Sequence, residues 1–305
     1  MFQIVIFSYN RALQLEALLR SIKKFWKAPE YRISVIYNTS GEDFQKGYDI
    51  LMAEYPEIRF IKESKRACGW WQLRDYFSLF NLKKMLRYPN LRKQKTNFRT
   101  LLNKAVREGQ KQAGFTMFLT DDSVFIKPVS LTSEDLYFIS RNPNLNQITL
   151  RLGRDVTEKP VEIESNNGKF FWNFHRFRHS RSWGYNFSVD AHIYSTKVLE
   201  RVLGKVIFNN PNTLEANVVH YVREHNIFDS GMTYEEPYIL SFPLNVVQTV
   251  SNNESLGVSV EKLNTLFLAG NRLDYIIPEK ILEFQQYPSE VIILNGKNEE
   301  TLKLS

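Results

Sequence analysis

Short apolar runs, each broken off by a polar switch and followed by an amphipathic stretch, open the chain, and this alternation narrows its fold more than any other feature. Residues 3–7 are a short apolar run, as in a strand buried on both faces; Ser8 to Asn10 interrupt it, and Leu13, Leu15, Leu18, Leu19, Ile22 and Phe25 then recur near helical spacing. Residues 32–37 read as a second strand, Asn38 to Gly41 as its turn, 42–54 as a second helix, and 59–61 as a third strand after Pro56. Strands alternating with helices predict an α/β layer whose central sheet is mainly parallel and flanked by helices. In such sheets ligands bind beyond the carboxyl ends of the strands, where these polar switches fall.

Further along, helices are expected over Trp70 to Tyr88, before Pro89, and over Asn97 to Gln112, with Phe98, Leu101, Leu102, Ala105 and Val106 on one face. Residues 115–119 form an apolar strand that ends in Thr120-Asp121-Asp122-Ser123. Strands follow at 146–152 and, by alternation, at 185–194; helical turns are expected at 196–202, from Pro211 through Arg223, and at 258–269, with 237–249 extended. We expect one main domain over 1–275 and a small C-terminal extension, 276–305, lying against it.

Charge narrows the partners. The net charge is +7, and nine of the 40 Lys and Arg lie between Asp75 and Glu108, where no acid occurs. A local basic surface points to a polyanion: nucleic acid, an acidic lipid surface or a phosphorylated substrate. The one cysteine, Cys68, excludes an intramolecular disulfide and any zinc site built on several thiolates. The first residues carry no basic segment or small-residue cleavage site, and no run of 18 apolar residues occurs. A cytoplasmic protein is expected, with peripheral contact at the inner face of the membrane.

The acid pair is the sharpest local motif. A strand that delivers Asp121 and Asp122 to the sheet edge offers hard oxygen ligands, suited to Mg²⁺ or Mn²⁺ shared with substrate phosphates. Glu215, in Pro211-Asn212-Thr213-Leu214-Glu215, is an acid near the start of a helix, where the dipole favours its anion. Asp190 and His192 alternate onto one face of the expected 185–194 strand, where assisting a metal, orienting an acceptor and pairing in the core all remain open. His175 and His179 are flanked by Arg176, Arg178 and Arg181, which would repel a cation. Trp172, Trp183 and Tyr185 have the flat apolar faces on which sugar rings stack.

Taken together, Ile4-Val5-Ile6-Phe7-Ser8-Tyr9-Asn10-Arg11 with its following helix, Phe118-Leu119-Thr120-Asp121-Asp122-Ser123 a little over 100 residues later, and Pro211-Asn212-Thr213-Leu214-Glu215 resemble GT-A glycosyltransferases. The likeness is to the family-2-like group of the bacterial polysaccharide and capsule type, over roughly residues 1–275. It implies a GT-A-like fold and a metal-dependent, inverting transfer from a nucleotide-sugar to a hydroxyl of a glycan or lipid-linked acceptor. It also implies donor contacts from Ser8, Tyr9, Asn10, Arg11, Asn38, Arg99, Asp121 and Asp122, with Asp122 on the Mn²⁺ or Mg²⁺ ion. Glu215 is then the base, with Asp190 as a second catalytic candidate; Trp183, Tyr185 and His192 face the acceptor. A UDP-sugar is favoured as donor, this being the commonest nucleotide in the family. Two other classes match the sequence less well. A sugar-phosphate nucleotidyltransferase normally opens on a glycine-rich phosphate loop, and residues 1–40 contain no glycine. A basic nucleic-acid-binding module over Lys83 to Arg107 lacks any accompanying Gly-rich motif, so no nucleic acid is expected as partner.

Overall fold

Strand β1 (Phe2–Tyr9) is the axis of the molecule, because its side chains feed two separate cores. Phe2, Ile4 and Ile6 enter one; Val5 and Phe7, on the opposite face, enter the other. The computed structural model describes residues 1–157, 159–163, 165–180, 182–245, 256–296 and 298–304, leaving aside the side chains of 65–68. Cys68 is one of those four, and residues 246–249 of the expected extended segment lie outside the described residues.

The N-terminal reading holds element by element: α1 (Ala12–Phe25), β2 (Tyr31–Asn38), α2 (Glu42–Glu54) and β3 (Arg59–Lys62) follow in turn. The basic stretch then forms two short helices, α3 (Leu73–Tyr76) and α4 (Leu79–Arg87), and α5 (Phe98–Gln110) leads into β4 (Phe115–Thr120). After α6 (Ser133–Arg141) come β5 (Asn146–Thr149), β6 (Ser165–Asn166), β7 (Lys169–Asn173), β8 (His192–Ser195), α7 (Thr196–Lys205), α8 (Pro211–Glu224), β9 (Ser230–Tyr234) and α9 (Val260–Leu268).

These nine strands make one sheet in the order β6-β7-β9-β5-β8-β4-β1-β2-β3. Following the parallel and antiparallel pairings along that order, seven strands run one way and only β7 and β8 run against them. This is the mainly parallel α/β layer of the GT-A-like reading. Helices cover both faces: Leu15, Leu18, Leu19 and Ile22 of α1 close one core, and Leu102 and Val106 of α5 with Val198, Leu199 and Val202 of α7 close the other. A three-stranded sheet of Arg272–Asp274, Glu290–Asn295 and Asn298–Lys303 adds Val291 and Ile293 to the α1 core.

One expectation fails locally. Residues 185–194 are not a strand: only His192–Ser195 pair in the sheet, and the preceding loop crosses into it through Ala191, whose φ of 58° lies in the left-handed region. Residues 174–177, which carry His175, form a 3₁₀ turn.

Candidate active site

The parallel register of β1 with β4 opposes Phe7 to Thr120, so both chains leave the sheet together. At that exit Asp121 donates its backbone N–H to Phe7 O (3.2 Å), and its carboxylate accepts from the Tyr9 N–H (3.2 Å) and Arg11 Nη1 (3.0 Å). Ser8 Oγ, 2.6 Å from the Tyr48 hydroxyl, faces the same carboxylate. Burial raises the Asp121 pKa to about 6 against the pull of Arg11. Asp122 is the outward member: Arg11 Nη1 lies 3.3 Å from Oδ2, while Oδ1 has no hydrogen-bond partner among the described residues.

Arg11 is thus the cation shared by the two acids. Its Nε also donates to Asn245 Oδ1 (2.7 Å) and its Nη2 to the Asn245 carbonyl, which engages the guanidinium on every nitrogen. Asn10, held at a φ of 57°, accepts from Ser40 N and donates to Ser40 Oγ (2.8 Å each), and its own N–H bonds the Asn38 carbonyl (3.3 Å). Asn38 Oδ1 accepts from Thr39 N (2.8 Å). Ser8, Asn10 and Asn38 thus gather at the same strand ends as the acid pair.

A line of hydrogen bonds runs from the residue after that pair to Glu215. Ser123, the next residue after Asp122, donates to Asp190 Oδ1 (2.7 Å), and Ser241 donates to Asp190 Oδ2 (2.9 Å). The Asp190 N–H bonds Ser188 Oγ (3.1 Å), and Ser188 Oγ donates to Glu215 Oε1 (2.8 Å), which also accepts from the Val189 N–H (3.0 Å). Tyr185, half-buried, adds its hydroxyl beside Glu215. The Arg151 guanidinium, buried over the Phe284 ring at 4.4 Å, lies 3.6 Å from Asp190. Burial raises the Glu215 pKa, with Arg151 opposing it. The helix-start argument for Glu215 needs correction: it is the fifth residue of α8, beyond the first turn, and serine and backbone donors outside the helix hold it.

Three further expectations are overturned. Arg99 cannot contact a donor: its guanidinium is buried in a two-pronged ion pair with Asp75 (2.6 and 2.9 Å), fastening α5 to α3. Trp183 is fully buried, edge-on to Trp172 at 4.9 Å, so no sugar can stack on it. His192 is equally buried, with Nδ1 2.8 Å from Gln147 Oε1, and desolvation keeps its pKa well below the usual value. The sequence alone does not single out Arg151, Ser123, Ser188, Ser241 or Asn245, although Arg151 is a charge inside the expected 146–152 strand.

No protein-family model matches the chain. In sequence it is similar to the bifunctional glycosyltransferase pgtA of Dictyostelium discoideum, at 22% identity over 329 aligned positions that take in 97% of this chain and 38% of that protein. The chain therefore spans under two fifths of the length of the curated relative it matches. Among solved structures it is similar to S. aureus TarS 1-349 in complex with UDP-GlcNAc (TM-score 0.45, 14% identity, 84% of this chain and 62% of that one). It is similar also to the same TarS fragment in complex with UDP (TM-score 0.43, 15% identity, 78% and 59%). Those scores are too low to carry a functional argument. Similarity to a glycosyltransferase thus runs along nearly the whole chain, on the α/β layer described above.

Proposed function

We propose that the chain is a glycosyltransferase that moves a sugar from a nucleoside-diphosphate donor, UDP-linked by first choice, to a hydroxyl of a glycan or lipid-linked acceptor by inverting single displacement. The observation that carries this reading is the hydrogen-bonded line Ser123–Asp190–Ser188–Glu215, which starts at the residue after the acid pair and ends at a buried, fixed carboxylate. Single displacement needs that separation of roles. The acceptor oxygen attacks the anomeric carbon and loses its proton to the base, while the bond to the diphosphate breaks on the far side and its electron pair leaves with the phosphate oxygen.

Glu215 suits the base better than Asp190. Both Asp190 oxygens are engaged by serine hydroxyls and Arg151 stands beside it, which leaves neither oxygen free to face an acceptor. Glu215 is held at Oε1, and burial raises its proton affinity towards the working pH. Asp190 is then a positioning residue that keeps Ser188, and through it Glu215, in line.

A divalent cation fits the donor set in one way. No cluster of three His, Cys, Asp or Glu suited to a metal occurs among the described residues, so Mn²⁺ or Mg²⁺ would be held by Asp122 and mostly by the diphosphate itself. The charges agree: among the described residues the four acids Asp121, Asp122, Asp190 and Glu215 face the two cations Arg11 and Arg151. When bound, such an ion stabilises the charge gathering on the leaving diphosphate.

Calorimetry with UDP in Mn²⁺ and in EDTA, on the wild type and on Asp122→Asn, tests the donor side. The expected result is a Mn²⁺-dependent component that the variant loses. Equal affinity in EDTA would remove the cation from the proposal, and absence of any nucleotide diphosphate binding would remove the donor.

A further inference from the structure

The outer surface of α3 and α4 has no part in the site, yet it combines two features that seldom meet on one solvated face. Trp70, Leu73, Phe77, Leu79 and Leu86 are each 70–78% exposed, and elsewhere among the described residues only Val161 reaches that level. Large apolar side chains crowded together in water mark a contact surface. The charge around them has one sign. Arg74, Lys83, Arg87, Arg92, Lys93 and Lys95 are exposed, and the one acid between Trp70 and Arg107, Asp75, is buried in its ion pair with Arg99.

Helix α4 shows how the surface is built. Phe80, Asn81, Lys84 and Met85 face inward, whereas Leu79, Lys83, Leu86 and Arg87 recur at i, i+4, i+7 and i+8 on the outward face. Leu73 of α3 and Phe77 just beyond it, four apart, flank the exposed Arg74. Lys93 Nζ lies 5.1 Å from the Trp70 ring centre, so an apolar body and a cation project side by side. The surface is also rigidly joined to the catalytic layer. Phe80 packs edge-on to Tyr221 of α8 at 5.3 Å, Asn81 bonds Lys205 O and Ile207 N, and Asn209 bonds the carbonyls of Asn90 and Lys93 (3.1 Å each).

We propose that this face docks on an anionic lipid membrane, with Trp70, Leu73, Phe77, Leu79 and Leu86 entering the acyl boundary and the lysines and arginines meeting the headgroups. An apolar stripe edged by cations alone is the chemistry of an interfacial surface. A partner that is only apolar would leave the cations unmatched, and a purely polyanionic one would leave five apolar side chains in water. The inference goes beyond sugar transfer and does not depend on it.

The protein carries its own probe. Of its five tryptophans only Trp70 is exposed; Trp26, Trp71, Trp172 and Trp183 are 0–6% exposed. Vesicles of phosphatidylcholine mixed with phosphatidylglycerol should shift the wild-type emission to the blue and sediment the protein, and pure phosphatidylcholine should do neither. Trp70→Phe should abolish the shift while leaving most of the sedimentation. Each cation near an anionic leaflet contributes roughly fivefold to binding, so Lys83→Glu with Arg87→Glu should lower the partition by roughly 25-fold or more, and added salt should weaken the wild type in the same direction. Equal sedimentation with neutral and anionic vesicles, or an unshifted Trp70 emission on anionic ones, overturns the proposal. So does sedimentation equilibrium showing a dimer that Leu79→Glu with Leu86→Glu converts to monomer, which would give the face to a second copy of the chain.

Discussion

Replacing Glu215 with glutamine separates its proposed role as base from everything else the side chain does. The two residues have the same length, and Gln Oε1 can still accept from Ser188 Oγ and the Val189 N–H, now 2.8 and 3.0 Å away. What disappears is proton affinity. A positioned base is worth about 10²- to 10⁴-fold in rate, which corresponds to about 2.7–5.5 kcal/mol of barrier. Stability should move the other way. Burial raises the Glu215 pKa, so the folded chain holds this proton to a higher pH than the unfolded chain does. Stability is then lost as the pH rises from the ordinary glutamate range through the raised value, and the ionised residue remains a cost above it. Glu215→Gln, which does not titrate, should melt at or above the wild-type temperature at neutral pH, with the gap closing in acid. For the same reason wild-type turnover should rise with pH through a limb above the ordinary glutamate range. The assays are single-turnover UDP release, calorimetric UDP affinity, which should be unchanged, and melting against pH. Near-normal turnover by the variant would move the role to another acid. A lower melting temperature at neutral pH would refute the burial argument, and a product of retained anomeric configuration would overturn the displacement itself.

Three further outcomes are expected. Arg11→Met leaves Asp121 and Asp122 facing each other without their shared cation and should cost about 3–5 kcal/mol in urea unfolding, with Mn²⁺ recovering part of it. Arg99→Leu should cost about 3–5 kcal/mol for the orphaned Asp75 while leaving UDP affinity unchanged by calorimetry, since Arg99 ties α5 to α3 and to Gly204 of α7 and touches none of the acids at the strand ends. Trp183→Ala should lower stability by about 3–5 kcal/mol, measured by the same unfolding, because the ring fills a core with Phe170 and Trp172; an acceptor-affinity loss in a stable variant would contradict this.

The first half of the layer was legible because periodicity and burial coincide there. In β1 every apolar residue is buried, and in α1 the i, i+3, i+4 spacing faces one core, so pattern alone located both to within a residue or two. Legibility fell where pairing is decided at a distance. β6 and β7 form a hairpin that joins the sheet through β9, about 60 residues later in the chain, and nothing local in that acid-free aromatic segment specifies the partner.

The site divides along the same line, and Asp190 and His192 show why. Alternation in a strand would send both side chains to one face, but Ala191 between them adopts a φ of 58°, and the backbone turns there. Asp190 consequently stays in the loop with Ser123, Ser241 and Arg151, while His192, the first residue of β8, goes into the core against Gln147. Two residues apart in sequence, they belong to different environments. A residue-type argument can propose a carboxylate and an imidazole as candidates, but their depth is set by neighbours that arrive from elsewhere in the chain. Asp121 and Asp122 stand out in the sequence because they break an apolar run at its edge, and Glu215 because it follows a proline-led helix start. Arg99, Trp183 and His192 instead lie in the packed interior, where a polar or aromatic side chain is matched by a buried partner: Asp75, Trp172 and Gln147 in turn.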